Sequence, residues 1–111
     1  MEPASTSDPF VGTWPCHMRL TTSRKMPLDG SVQGDYRETI AKYGNGYVIT
    51  DGRSGDSMPS TFVSGSTIKF SARTGSGSMT MDFQVNGNRM TGTLHGVNDE
   101  DAWVAALQCS R

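Results

Sequence analysis

SMTMDFQVNGNRMTGTLHGV, residues 78–97, reads as two strands joined by a tight turn, and that reading decides the fold. Met79, Met81, Phe83 and Val85 alternate with Thr80, Asp82 and Gln84, the period of two that a half-buried strand requires. Asn86-Gly87-Asn88 then supplies the positive φ angles of a short hairpin connection. Beyond it, Met90, Gly92, Leu94 and Gly96 oppose Thr91, Thr93 and His95. An apolar face and a polar face on both arms is the signature of an antiparallel sheet laid over one core.

The same grammar extends in both directions. Toward the N-terminus, Ile68, Phe70 and Ala72 alternate with Lys69 and Ser71, and Ser64-Gly65-Ser66 and Gly44-Asn45-Gly46 mark further tight turns. In the first apolar stretch, Phe10, Gly12, Trp14, Cys16, Met18 and Leu20 share a face, with Val11, Thr13, His17 and Arg19 opposite. Looser Gly/Ser-rich connections fall at 52–57 and 74–78, and 23–34 is the longest. Eight strands are predicted, at 10–21, 35–43, 46–51, 58–64, 66–73, 78–86, 89–97 and 103–110.

Two elements read ambiguously. In 35–43, either Tyr36, Glu38 and Ile40 or Arg37, Thr39, Ala41 and Tyr43 can face inward. After Asn98-Asp99-Glu100-Asp101, Trp103, Ala106 and Leu107 have helical spacing, while Trp103, Ala105, Leu107 and Cys109 have strand spacing. The cysteines favour the strand: if first and last strands are neighbours, Cys16 and Cys109 face each other across one ladder and can bridge. Closure also removes the exposed edges of the sheet. The expected fold is an eight-stranded antiparallel up-and-down barrel, with a two-sheet β-sandwich as the alternative of equal strand count.

Composition agrees with a single small domain. The 111 residues include 13 glycines, 34% are hydrophobic and 19% charged, which suits short strands and tight turns rather than long helices. The expected organisation is a flexible leader over 1–9 and one β-barrel domain over 10–111. A net charge of −1 without basic runs argues against nucleic acid as a partner. No apolar run of about 18 residues predicts a membrane span. Two cysteines in a Gly/Ser/Thr-rich β domain point to a disulfide and an oxidising compartment, periplasmic or secreted, against the alternative of two buried thiols.

Gly12-Thr13-Trp14 on the first strand resembles the Gly-x-Trp signature of the calycins, the superfamily of lipocalins and avidins, in which the Trp plugs the closed end of the barrel. Asp101-Ala102-Trp103 is similar to the Trp-bearing loop before the last strand of avidins. Avidin's biotin-binding Asn and Ser are replaced by Cys16 and Leu20, so the resemblance does not extend to biotin. A terminal basic residue that covers the Trp, as in lipocalins, would here be Arg111. The resemblance implies a calycin-like barrel that holds a small apolar ligand, with Trp14, Met18, Met81, Phe83 and Trp103 as the ligand-binding residues and no cofactor. Another protein, met through the loops at 23–34, 52–57 and 74–78, is the alternative partner.

Catalytic and metal-binding patterns are weak. There is no Gly-x-Ser-x-Gly elbow or Cys–His pair for nucleophilic catalysis. Only Glu38, if it faces inward, offers a third reading, a barrel-pocket enzyme of cyclase type using a buried acid. His17 and His95 fall on polar faces with one strand between them, about 10 Å apart, too far to share a metal. Asp99, Glu100 and Asp101 lack the spaced ligands of a calcium loop and read as a solvated turn. Ser64-Gly65-Ser66-Thr67-Ile68 is similar to a Ser-Gly-x-x-Tyr loop of periplasmic lysozyme inhibitors, but Ile68 replaces the aromatic and a hairpin explains it better. Seven methionines, of which Met18, Met79, Met81 and Met90 fall on inward faces, supply adaptable filling for a core or an apolar pocket.

Overall fold

Eight strands and no helix make up the computed structural model, which describes residues 8–111. The strands are β1 (Gly12–Thr22), β2 (Gln33–Tyr43), β3 (Gly46–Asp51), β4 (Ser57–Ser64), β5 (Thr67–Thr74), β6 (Gly77–Asn86), β7 (Arg89–Val97) and β8 (Ala102–Ser110). Each pairs antiparallel with its neighbours in the chain, and β8 returns to pair with β1, so the sheet is a closed up-and-down barrel. The sandwich alternative is excluded by that last pairing.

Alternation dictates the inside. Trp14, Ile40, Ile49, Ile68, Phe70, Phe83, Met90 and Leu107 are each at most 2% exposed, and their outward neighbours are polar or half-exposed. β6 and β7 pair from Ser78–Val97 down to Asn86–Arg89 across a two-residue turn. Gly87 opens that turn at φ +65°, a conformation an L side chain resists. The predicted 103–110 strand starts one residue earlier, at Ala102, and the helical alternative is not taken up: inward Ala105, Leu107 and Cys109 are all buried.

Cys16 and Cys109 are directly paired residues of β1 and β8, and they form a disulfide with Cα atoms 4.0 Å apart. The bridge fastens the seam where the first strand meets the last, 93 residues apart in sequence.

β4 is the least regular wall. Its register against β5 shifts between Ser60 and Phe62, and beyond the shift Phe62 and Val63 are 50% and 42% exposed. A bulge of this kind bends the strand and lets alternation slip to the other face.

The two ends of the barrel differ. The connections at 44–45, 65–66 and 87–88 are all tight turns and lie at the end where β1 starts. The Ser64–Ile68 segment belongs to this end as a plain hairpin, with Ile68 in the core. Trp14 fills the barrel here, donating from Nε1 to the Phe10 carbonyl at 2.9 Å. Phe10 packs edge-on against Tyr47, their centroids 5.2 Å apart. Arg111 crosses the outside of the plug, its guanidinium carbon 4.1 Å from the centre of the Trp14 ring. It donates to the carbonyls of Val11 (2.6 Å) and Pro9 (3.1 Å). Residues 1–7 of the expected leader lie outside the described residues. Asp8, near its end, accepts from the Phe10 and Val11 amides and, at 2.6 Å, from the Tyr47 hydroxyl. The longer connections, 23–32, 52–56 and 98–101, gather at the opposite end together with 75–76.

Candidate functional site

A cavity of about 540 Å³ opens at the long-loop end. Its apolar wall is built from Met18 on β1, Met58 on β4, Met79 and Met81 on β6, Leu94 on β7 and Trp103 on β8. These side chains converge because each lies on the inward period of its strand, at the end away from the Trp14 plug. Trp103 takes its place by lying flat over Gly96, its cross-strand partner on β7. A Cβ at Gly96 would come within 2.2 Å of the indole, so only glycine there leaves room for the ring.

The opposite wall is polar. Tyr36, Glu38 and Ile40 form the buried face of β2, which settles the inward register. Glu38 is 1% exposed and faces the cavity beside Tyr36. Across the ladder its partners are Trp14 on β1 and Asp51 on β3. Among the described residues, neither Glu38 Oε2 nor the Tyr36 hydroxyl has a hydrogen bond of good geometry, although the phenol lies close enough to Glu38 to act on its carboxyl. Burial, with the Asp51 charge second, pushes the Glu38 carboxyl up to about 8. Burial and then the Glu38 charge also push the Tyr36 phenol up, so it stays protonated.

Asp51 behaves in the contrary way. Burial opposes its ionisation, but the Arg53 amide at 2.7 Å and guanidinium at 3.3 Å outweigh it and hold the carboxyl below the usual range. Arg53 in turn lies over the Tyr36 ring, 4.3 Å from its centroid, at the rim of the cavity. Arg73 on β5 and Asp56 complete the charged rim.

Of the five residues expected to bind a ligand, Met18, Met81 and Trp103 line this cavity. Trp14 and Phe83 do not: they are 0% and 2% exposed and packed at and near the plugged end. Among the cavity residues that the sequence reading did not assign to the site are Asp51, Arg53, Asp56 and Arg73. A signal for Asp51 exists, since it continues the inward alternation of Tyr47 and Ile49, whereas Arg53 sits in a loop without periodicity. Met58, Met79 and Leu94 join from strands whose inward ends sequence alone does not distinguish from the core.

The remaining candidates lie elsewhere. His17, on the outer face of β1, bonds Asp35 at 2.8 Å and Gln33 at 3.0 Å, and these bonds raise its pKa. His95 lies near Thr93 and Asp82. Among the described residues, no group of three or more His, Cys, Asp or Glu is placed to hold a metal ion. Asp101 is not part of a solvated turn: it is 5% exposed and accepts from the Ser23 hydroxyl at 2.5 Å and the Arg24 amide at 3.0 Å. It thereby ties the β1–β2 connection to the β7–β8 connection at the rim. A shallower depression of about 420 Å³ lies on the outer face by Pro15, His17, Asp35 and Arg37.

Compared with known proteins, the chain matches no family model, no curated protein and no solved structure.

Proposed function

We propose that this protein is a non-enzymatic binding protein of the periplasm or the extracellular space, holding a small, mainly apolar molecule in the open end of its barrel. The observation that carries the reading is the cavity of about 540 Å³ walled by Met18, Met58, Met79, Met81, Leu94 and Trp103. Its volume falls within the roughly 300–1,000 Å³ of small-molecule sites, and thioether side chains adapt to varied apolar shapes. An eight-stranded barrel is just wide enough to keep such a space at one end while side chains fill the other. The disulfide supports an oxidising compartment. The calycin resemblance gains support from Arg111 over Trp14 at the plugged end.

Titration with 8-anilinonaphthalene-sulfonate and a panel of lipids tests the reading. Saturable, one-to-one binding to the folded protein is expected, with quenching or a shift of Trp103 fluorescence. Absence of saturable binding by every probe refutes it.

A second reading has one observation in its favour. The connections at 23–32, 52–56 and 75–76 share one end of the barrel, where together they could meet another protein. The Asp101 tie, which holds the longest of them, favours a shaped rim over a loose one. Retention of a specific protein by wild type, lost on scrambling 52–56 while probe binding persists, separates the two.

A further inference from the structure

Glu38 is the one feature of the cavity that an apolar ligand alone leaves unexplained. The residue is 1% exposed, it lines the cavity, and Oε2 has no hydrogen bond of good geometry among the described residues. The Tyr36 hydroxyl beside it acts on the Glu38 carboxyl but makes no hydrogen bond of good geometry. Buried polar atoms left in this state are rare because each costs the desolvation it does not recover. Glu38 Oε2, open to this space, is an acceptor that a ligand's donor group can meet.

Charge selects the kind of donor. Three carboxylates face the cavity or its rim, Glu38, Asp51 and Asp56, against two guanidiniums, Arg53 and Arg73. Arg53 is engaged by Asp51 and by the Tyr36 ring, and Arg73 is exposed at the mouth. On the β1 side, Glu38 faces the uncharged Trp14, and His17 points outward to Asp35. With Glu38 protonated the charges of the lining balance; once Glu38 ionises, the carboxylates outnumber the guanidiniums by one, and the nearer guanidinium, Arg53, is already held by Asp51.

We propose that the cavity takes a small monoamine whose ammonium group donates to Glu38 Oε2 and the Tyr36 hydroxyl oxygen, while its apolar body lies against Met18, Met79, Met81 and Trp103. This rests on the reading of the cavity as a ligand site. An anion fills the same apolar wall but opposes ionisation of Glu38, and a neutral alcohol gains nothing from it.

A proton is displaced when the amine enters. Glu38, raised to about 8, holds its proton in the empty cavity at neutral pH, and an ammonium favours the ionised form. One O–H bond of the carboxyl breaks, the proton leaves to solvent, and the carboxylate accepts from the ammonium. Amine affinity therefore rises with pH up to about 8 and then levels off.

The experiment is calorimetric titration of the intact, oxidised protein with n-octylamine, n-octanol and octanoate at about pH 6.5 and about pH 8. Octylamine is expected to bind at least about tenfold more tightly than octanol at the higher pH. Its affinity gains about tenfold between the two, with a buffer-dependent enthalpy that reports about one proton released at the lower pH. Octanol affinity stays level and octanoate affinity falls. Glu38→Gln, which keeps size and removes charge, abolishes both the amine preference over octanol and the pH dependence. Tyr36→Phe reduces amine affinity several-fold without removing the pH dependence. Octylamine binding no better than octanol, or a pH rise that survives Glu38→Gln, overturns the amine assignment while the cavity reading stands. If none of the three binds the wild type, both are overturned. The wild-type comparison across pH stands by itself if a variant fails to fold.

Discussion

Glu38 exchanges water for methionine, a tryptophan beneath it and a second carboxylate alongside when the chain folds. An unfolded Glu gives up its proton near its ordinary value of 4.5, whereas the folded one keeps it to about 8. Between those limits the folded state binds the extra proton, so stability falls as pH rises, by at most about 1.4 kcal/mol per pH unit. Guanidinium denaturation from pH 4.5 to 8 is expected to show that fall, and Glu38→Gln to flatten it. His17 acts in the same direction above its ordinary 6.5, because bonds to Asp35 and Gln33 raise it, so the difference between wild type and variant isolates Glu38. Arg111 is a second residue with a definite cost. Its contact with the Trp14 face and two carbonyls is worth about 1–2 kcal/mol, and Arg111→Ala should lower the unfolding free energy measured in urea by that amount. Arg111→Lys should recover less than half, since an ammonium lacks the flat fork that stacks and donates twice. Gly12 belongs to the same unit: at φ +146°, a Cβ there would meet Arg111 Nη1 at 2.9 Å.

The seam between β1 and β8 decides whether the sheet is a barrel at all. It joins the most distant parts of the chain, so its formation carries the largest loop-closure entropy of any pairing. The Cys16–Cys109 bridge removes much of that entropy from the unfolded state, an effect of about 4–5 kcal/mol for a 93-residue separation. Cys16→Ala/Cys109→Ala is expected to lose about 2–5 kcal/mol in chemical denaturation, and added reductant to lower the wild-type melting temperature similarly. At the open end the elements are held differently. Asp101 fastens the β1–β2 connection through Ser23 and the Arg24 amide, and those bonds, that of Ser23 first, hold its carboxyl below the usual range. This tie is present above the ordinary carboxylate range and is lost as pH falls through the depressed value. β4 lacks clean alternation after its register shift, which is why Phe62 and Val63 face solvent.

The whole barrel combines a solid half and a hollow half. Tight turns, Trp14 and Phe10 close one end, and longer loops surround the cavity at the other. Ala72 on β5 lines that cavity opposite Met79, and a larger side chain there occupies space that is now empty. Ala72→Phe should reduce probe affinity at least about tenfold while changing stability by no more than about 1–3 kcal/mol in either direction. Circular dichroism and free-thiol titration check that the barrel and its bridge persist. A variant that unfolds instead would mean the space is part of a tightly packed core.

Local chemistry by itself determined the strands, their turns and most of their inward faces. Alternation at 78–97 and in Phe10 to Leu20 forces one face onto a core, and glycine marks where the chain must reverse. Paired cysteines near both ends then make closure the economical topology. Tertiary structure decided what alternation leaves degenerate. Both faces of 35–43 carry apolar residues, so only pairing of β2 with β1 and β3 turns Glu38 inward. Trp14, Met18, Met81, Phe83 and Trp103 look alike as inward residues, yet depth along the barrel puts Trp14 and Phe83 in the solid half and the other three at the cavity. Depth depends on strand tilt and register across the whole closed sheet, which is a property of the ladder and not of any one strand's periodicity.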